Sequence, residues 1–137
     1  MSFVCFTDRD LGRVFPDILR SNGLIVERHD DHFPPNASDE TWLELVGERG
    51  WIALTHNLRI RYTPNERDAV MQHRVALLVI MGKAPLSELA KSFVATLPRI
   101  ERFLAGHKPP FIAKIYRPTP AEAARGTTAG HVEAWYS

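Results

Sequence analysis

Residues 75–81 read Val-Ala-Leu-Leu-Val-Ile-Met, seven apolar side chains with no polar position among them. A strand with one wet face alternates apolar and polar residues, so an unbroken apolar run of this length reads as a strand covered on both faces. Helices on both sides of a parallel sheet supply that cover, which makes the chain an α/β protein.

The pattern on either side agrees. Upstream, Thr63-Pro64-Asn65-Glu66 has a hydroxyl at the N-cap, Pro at the first helical position and Glu at the third, predicting a helix to about Arg74. Residues 51–54 form a strand before it. Ser38 is suited to cap a helix carrying Trp42, Leu43, Leu45 and Val46 and closing at Gly47 or Gly50. A strand at 24–26 leads into a polar, Pro-containing loop at 29–37. At the start of the chain, a strand at 3–6 precedes a helix at 11–20 with Leu11, Val14, Phe15, Ile18 and Leu19 at helical spacing; Pro16 starts or kinks it and Gly23 closes it. Downstream of the apolar run, Leu86, Leu89, Phe93, Leu97, Ile100 and Phe103 recur every three or four residues, a long helix bent at Pro98 and ended by Gly106. Residues 111–116 are a fifth strand. The tail, 118–137, is rich in Pro, Ala and Gly until His131, where HVEAWY can add an edge strand.

Five strands alternating with four helices predict a three-layer α/β/α sandwich with a mostly parallel sheet in the order 2-1-3-4-5. At 137 residues and 45% hydrophobic content, one domain spanning 1–137 is expected. A net charge of +1 confines any nucleic-acid contact to a local patch. The single cysteine, Cys5, lies in an apolar run, which excludes a disulfide framework and points to a reducing compartment. With no apolar stretch near membrane-span length and Asp8 too early for a signal peptide, a cytoplasmic protein without membrane contact is expected.

In this architecture ligands sit beyond the carboxyl ends of the strands, where strand order reverses. That point falls between the ends of FVCFTDRDL (3–11) and WIALTHNLRI (51–60). Asp8, Asp10, Asp39, Glu40, Thr55 and Asn57 are predicted to converge there. Gathered oxygen donors suit a hard cation, Mg²⁺ or Mn²⁺, and hence phosphodiester hydrolysis. Arg9, Arg13, Arg59 and Arg61 stand where they can hold a phosphate backbone. No Walker, dinucleotide-binding or Gly-x-Ser-x-Gly pattern occurs. Each residue also has a structural reading: Asp39 as a favourable charge at a helix start, Asp10 and Glu40 as capping or solvated acids, Arg59 and Arg61 as solvent-facing charges, Trp42 and Trp51 as core. The six histidines show no ligand spacing.

The segments FTDRDLG, SDETW and LTHNLRI resemble the acidic motifs of PIN-like ribonucleases, most closely the VapC-type toxins, with the order of elements matching over about residues 3–116. The resemblance implies a PIN-like fold, Mg²⁺- or Mn²⁺-dependent endoribonuclease activity and a cognate antitoxin partner. It matches Asp8 and Asp39 to metal-binding acids and Thr55 to the threonine two residues before the last acid. This chain departs from the pattern at that last acid, where Asn57 stands in place of Asp. The amide oxygen can ligate, but one negative charge is lost, which implies a weakened or inactivated site. An antitoxin segment is expected to cover the acidic rim with a cation, and the tail around Trp135 and Tyr136 is a surface for that contact or for a homodimer. Two other classes fit the same topology: a receiver-like phosphoacceptor domain, disfavoured by Asn57 and by Lys114 inside the fifth strand, and a catalytically inactive binding module.

Overall fold

The computed structural model describes residues 3–60 and 62–137. Arg61, one of the four arginines expected near a phosphate backbone, lies outside the described residues. The strands are β1 (Val4–Thr7), β2 (Ile25–Arg28), β3 (Ile52–Thr55), β4 (Ala76–Ile80), β5 (Phe111–Tyr116) and β6 (His131–Tyr136). The helices are α1 (Val14–Ser21), α2 (His29–His32), α3 (Asp39–Arg49), α4 (Pro64–Gln72), α5 (Leu86–Gly106) and α6 (Pro120–Ala124). One sheet runs β2-β1-β3-β4-β5-β6. Its first five strands are parallel in the expected order, and β6 adds antiparallel to β5.

All five residues of β4 are buried. Successive side chains of a strand point to opposite faces, and two cores result. Cys5, Leu54, Leu78 and Ala113 face Phe15 and Leu19 of α1 and Leu89, Phe93 and Ile100 of α5. Phe6, Ala53, Leu77, Val79 and Ile112 face Trp42, Leu43 and Val46 of α3 and Val70 of α4. The unbroken apolar reading of residues 75–81 thus corresponds to a central strand sandwiched between α1/α5 and α3/α4.

Local differences from the sequence expectations have physical causes. The first helix does not begin at Leu11: Asp8 accepts the Arg9 N–H and starts a separate 3₁₀ turn, Arg9–Leu11, which ends at Gly12 with φ 64°, so α1 starts at Val14. Pro16 then lies in the first turn of α1, where its missing N–H costs nothing. The loop at 29–37 opens with α2, whose Asp31 carboxylate accepts the Arg28 N–H at 3.4 Å. The Thr63 hydroxyl does not cap α4; it donates to the Arg59 carbonyl at 3.1 Å. The tail holds α6, with Thr119 and Glu122 capping each other's backbone N–H groups, a Thr-x-x-Glu signature readable in the sequence. Among the described residues no helix is long and apolar enough to cross a membrane.

Candidate functional site

Parallel strands deliver their carboxyl ends to one rim, and on that rim Asp8 follows β1 while Thr55 ends β3. The Asp8 N–H donates to the Leu54 carbonyl at 3.0 Å, so the acid is held by the sheet itself. Its carboxylate is 9% exposed and accepts the Thr55 hydroxyl at 2.8 Å and the Arg9 N–H at 2.7 Å. Asp10, on the adjoining 3₁₀ turn, lies 3.3 Å from the same hydroxyl. One hydroxyl proton serves one acceptor at a time, and the shorter distance assigns it to Asp8. Asp10 is instead secured by the His56 N–H at 3.1 Å.

Asp39 opens α3 behind the N-cap Ser38 and accepts the indole N–H of Trp42 at 2.9 Å. Trp42 is fully buried and stacked on Phe6 at 5.4 Å, so the core reading of this tryptophan is right and incomplete: its polar edge also positions an acid. The Asn57 side-chain oxygen accepts the Arg59 N–H at 3.0 Å, and its own N–H donates to the Thr55 hydroxyl at 3.1 Å, a local turn that an aspartate could make as well.

Asp8, Arg9, Asp10, Asp39 and Asn57 line an open polar cleft of about 420 Å³, with His29, Pro35 and Ala37. Five of the sequence-selected residues therefore line one cleft, and Thr55 is buried beneath it, bonded to Asp8. Glu40 is exposed on α3 and is not among the lining residues. Arg9 extends to the Pro35 carbonyl at 2.6 Å and to Asp30 at 3.9 Å; Arg13 and Arg59 are exposed outside the cleft lining.

The electrostatics are those of acids crowded together and partly buried, with Arg9 in the cleft wall turned to the Pro35 carbonyl and Asp30. Burial, then the neighbouring Asp10 carboxylate, push Asp8 up to about 7 against the pull of the Thr55 hydrogen bond. Asp10 is raised by burial, with the His56 N–H and the Thr55 hydroxyl opposing. Glu66 on α4, read from the sequence only as a helix-start residue, belongs to the same cluster. Burial, then a hydrogen bond shared with the Asp39 carboxyl, raise its pKa, with Asp8 adding repulsion. Its Oε2 is buried with no hydrogen-bond partner. The third position of a helix after Thr-Pro was the available signal, and the glutamate engages Asp39 as well as the cap residue Thr63. His29, also missed, is 2% exposed in the cleft wall, and burial lowers its pKa.

As the side chains stand, no three His, Cys, Asp or Glu among the described residues converge as a ready metal cage. The donors are nevertheless all oxygens, with an orphaned buried oxygen on Glu66 and carboxyls of raised proton affinity. Mg²⁺ keeps several waters and needs only one or two protein carboxylates, so the residues fit a hydrated hard cation.

Residues 3–82 match the family described as "PIN like domain". The chain is 30% identical over 117 residues to a Mycobacterium tuberculosis protein named "Putative ribonuclease VapC45", covering 81% of this chain and 84% of that protein. No solved structure matches significantly. The matched region contains Asp8, Asp10, Asp39 and Glu66, the acids of the cleft, and with the sheet order described above it shows that this chain belongs to the PIN-like domain family, as a VapC-type member.

Proposed function

We propose that this chain is an Mg²⁺- or Mn²⁺-dependent endoribonuclease and the toxin half of a toxin–antitoxin pair, acting on cytoplasmic RNA. The observation that carries the reading is the Asp8–Thr55–Asp10 cluster at the reversal point of the sheet, faced by Asp39 and Glu66. Asp8, Asp39 and Glu66 would hold the cation, with Asp10 supporting and Asn57 presenting a neutral oxygen on the rim. When bound, the cation polarises a water and offsets charge developing on the scissile phosphate.

The chain's own residues do the rest. Thr55 fixes the Asp8 carboxylate, the His56 N–H fixes Asp10, and Trp42 fixes Asp39, so the three acids are oriented before substrate arrives. Arg9, in the cleft wall, and Arg59, on the loop after β3, supply cations for flanking phosphates. Asn57 in place of an aspartate lowers the negative charge of the site, and turnover should be slow relative to the same site with an aspartate at position 57. An antitoxin would silence the site by placing a lysine or arginine among the same carboxylates.

A receiver-like reading is not supported: Asn57 occupies the β3 end, and the Lys114 ammonium lies over the Trp135 ring at 4.3 Å. The test is cleavage of single-stranded RNA by purified protein with Mn²⁺ and with EDTA, beside Asp8→Ala and Asp39→Ala. Metal-dependent cleavage abolished by either substitution supports the reading. Failure to bind Mn²⁺ by calorimetry would leave an inactive partner-binding module in its place.

A further inference from the structure

A second concavity of about 500 Å³ lies between the C-terminal half of α5 and the start of β6, lined by Arg99, Arg102, Phe103, His107, His131 and Val132. It shares no residue with the acidic cleft, and its lining has no carboxylate, although the Glu122 carboxylate reaches the lining residue His131 at 2.8 Å. Arg99 and Arg102 are three residues apart, which puts both on one helix face. Arg99 donates to the Gly130 carbonyl at 2.6 Å, anchoring one end of its guanidinium. Arg102, exposed, has no carboxylate partner among the described residues. The His107 ring stacks on Phe103 with centroids 3.8 Å apart and planes 9° from parallel, and its Nδ1 is directed at the Phe103 carbonyl at 2.8 Å. The result is an exposed flat ring beside free cations. In a chain of net charge +1 this is a local concentration, not a general property of the surface.

Topology joins the groove to the cleft. Lys83 is exposed just after β4, Arg117 follows β5 directly, and His131 opens β6 opposite Tyr116. These positions, and with them the His131 end of the groove, sit on the same rim as Asp8 and Thr55; from there the groove runs down α5 to His107, whose ring lies 6.3 Å from Phe111 at the start of β5, the opposite end of the sheet. From β1 to β6 are four strand spacings, on the order of 20 Å of sheet, with Lys83 and Arg117 along the way. Arg117 is 3.8 Å from Glu88, a half-exposed pair that a phosphate can replace.

We infer that the α5–β6 groove is a second binding surface for single-stranded RNA, taking its phosphate backbone on Arg99 and Arg102 and a base on the His107 ring, and reached from the acidic cleft along the rim cations. Serial cations combined with a stacking ring are what a single strand requires; an acidic peptide has no use for the ring. The inference rests on the ribonuclease reading for the identity of the strand, and binding can be measured apart from cleavage.

The experiment is fluorescence anisotropy of labelled RNA of about 20 and about 5 nucleotides, lengths either side of what one groove covers, with full-length protein in EDTA. Arg99→Glu/Arg102→Glu should weaken the longer strand at least tenfold and the shorter one much less. It should also reduce the slope of log K against log salt by about 1.4, two phosphates at about 0.7 each. His107→Ala, which keeps both arginines, should weaken the longer strand by several-fold and leave the salt slope in place. Arg49→Glu, half that charge change at the far end of α3, controls for net charge. Longer-strand affinity within twofold of wild type in the double variant, equal losses for both lengths, or an equal loss from Arg49→Glu would each overturn the inference. Unchanged RNA affinity with capture of a polyglutamate peptide would reassign the groove to a protein. Absence of cleavage alongside length-dependent binding would sink the ribonuclease reading and leave the groove standing.

Discussion

The Thr55 hydroxyl donates to the Asp8 carboxylate at 2.8 Å, joining two residues 47 positions apart at the adjacent ends of β1 and β3. This hydrogen bond is the one contact that lowers the Asp8 pKa through a side chain, against burial and the Asp10 charge. Thr55→Val keeps the shape and removes the donor, leaving a buried carboxylate short of a partner at a cost of about 1–3 kcal/mol. Cleavage should fall about 10–100-fold, and the acidic limb of the pH–rate profile should move to higher pH. A profile that stays in place would show that the hydroxyl does not tune Asp8.

Glu66 and Asp39 share a site that burial and mutual repulsion make unfavourable in the metal-free protein. Removing one charge relieves it, so Glu66→Gln should raise the melting temperature of metal-free protein. It should also weaken Mn²⁺ binding at least about tenfold, with a matching loss of cleavage. A residue serving only the start of α4 would show neither the higher melting point nor the weaker metal affinity.

Stability should depend on pH in the direction set by Asp8. Its folded pKa, about 7, lies above its ordinary value of 3.8, so the folded state holds a proton that the unfolded chain has released. Asp8 therefore carries no penalty below about pH 4, loses stability as pH rises toward 7, and carries the full penalty above it. A cation cancels the repulsion only where the acids are ionised. Mn²⁺ at about 100 times its Kd should raise the melting temperature by about 5–10 °C at pH 8 and much less at pH 5. Differential scanning calorimetry at the two pH values checks this, and an equal rise at both would detach the metal from Asp8.

Asn57 makes an Asx-type turn through the Arg59 N–H that an aspartate preserves, so Asn57→Asp changes charge with little change of shape. Affinity for a hard cation rises with ligand charge, and Mn²⁺-dependent cleavage should increase about tenfold or more. Equal rates in the two proteins would remove position 57 from the metal site.

Gly130 is the knot between α5 and the tail. Its N–H donates to the buried Thr96 hydroxyl at 2.9 Å, its carbonyl accepts from Arg99, and a Cβ there would land on the Tyr116 carbonyl. Gly130→Ala should cost about 1–3 kcal/mol or more by overpacking, measured by urea denaturation, with the loss of hydrogen-exchange protection concentrated in β6.

The sheet was legible because parallel strands buried on both faces and amphipathic helices leave patterns only a few residues long: 75–81, 86–103 and 111–116 each announced its element. Asp8 was legible for the same reason, as the first acid after a buried strand at a topological reversal. The boundary around Gly12 was not, because a side-chain hydrogen bond at Asp8 overrode local propensity; at Thr63 the helix start was legible, and only the partner of its hydroxyl, the Arg59 carbonyl, was not. Glu66 was read only in part because a glutamate at the third helical position can reach both its own cap and whatever the helix faces, and only packing reveals the second partner. Chain-local chemistry thus determined the layers, the strand order and the acids after β1 and at the head of α3. Tertiary structure alone decided which oxygens meet and that a cation-lined groove lies across the sheet from the acids, because those contacts join residues tens of positions apart; it also decided that Trp42, only three residues from Asp39, turns its indole N–H to that acid, because the ring's direction is set by packing on Phe6.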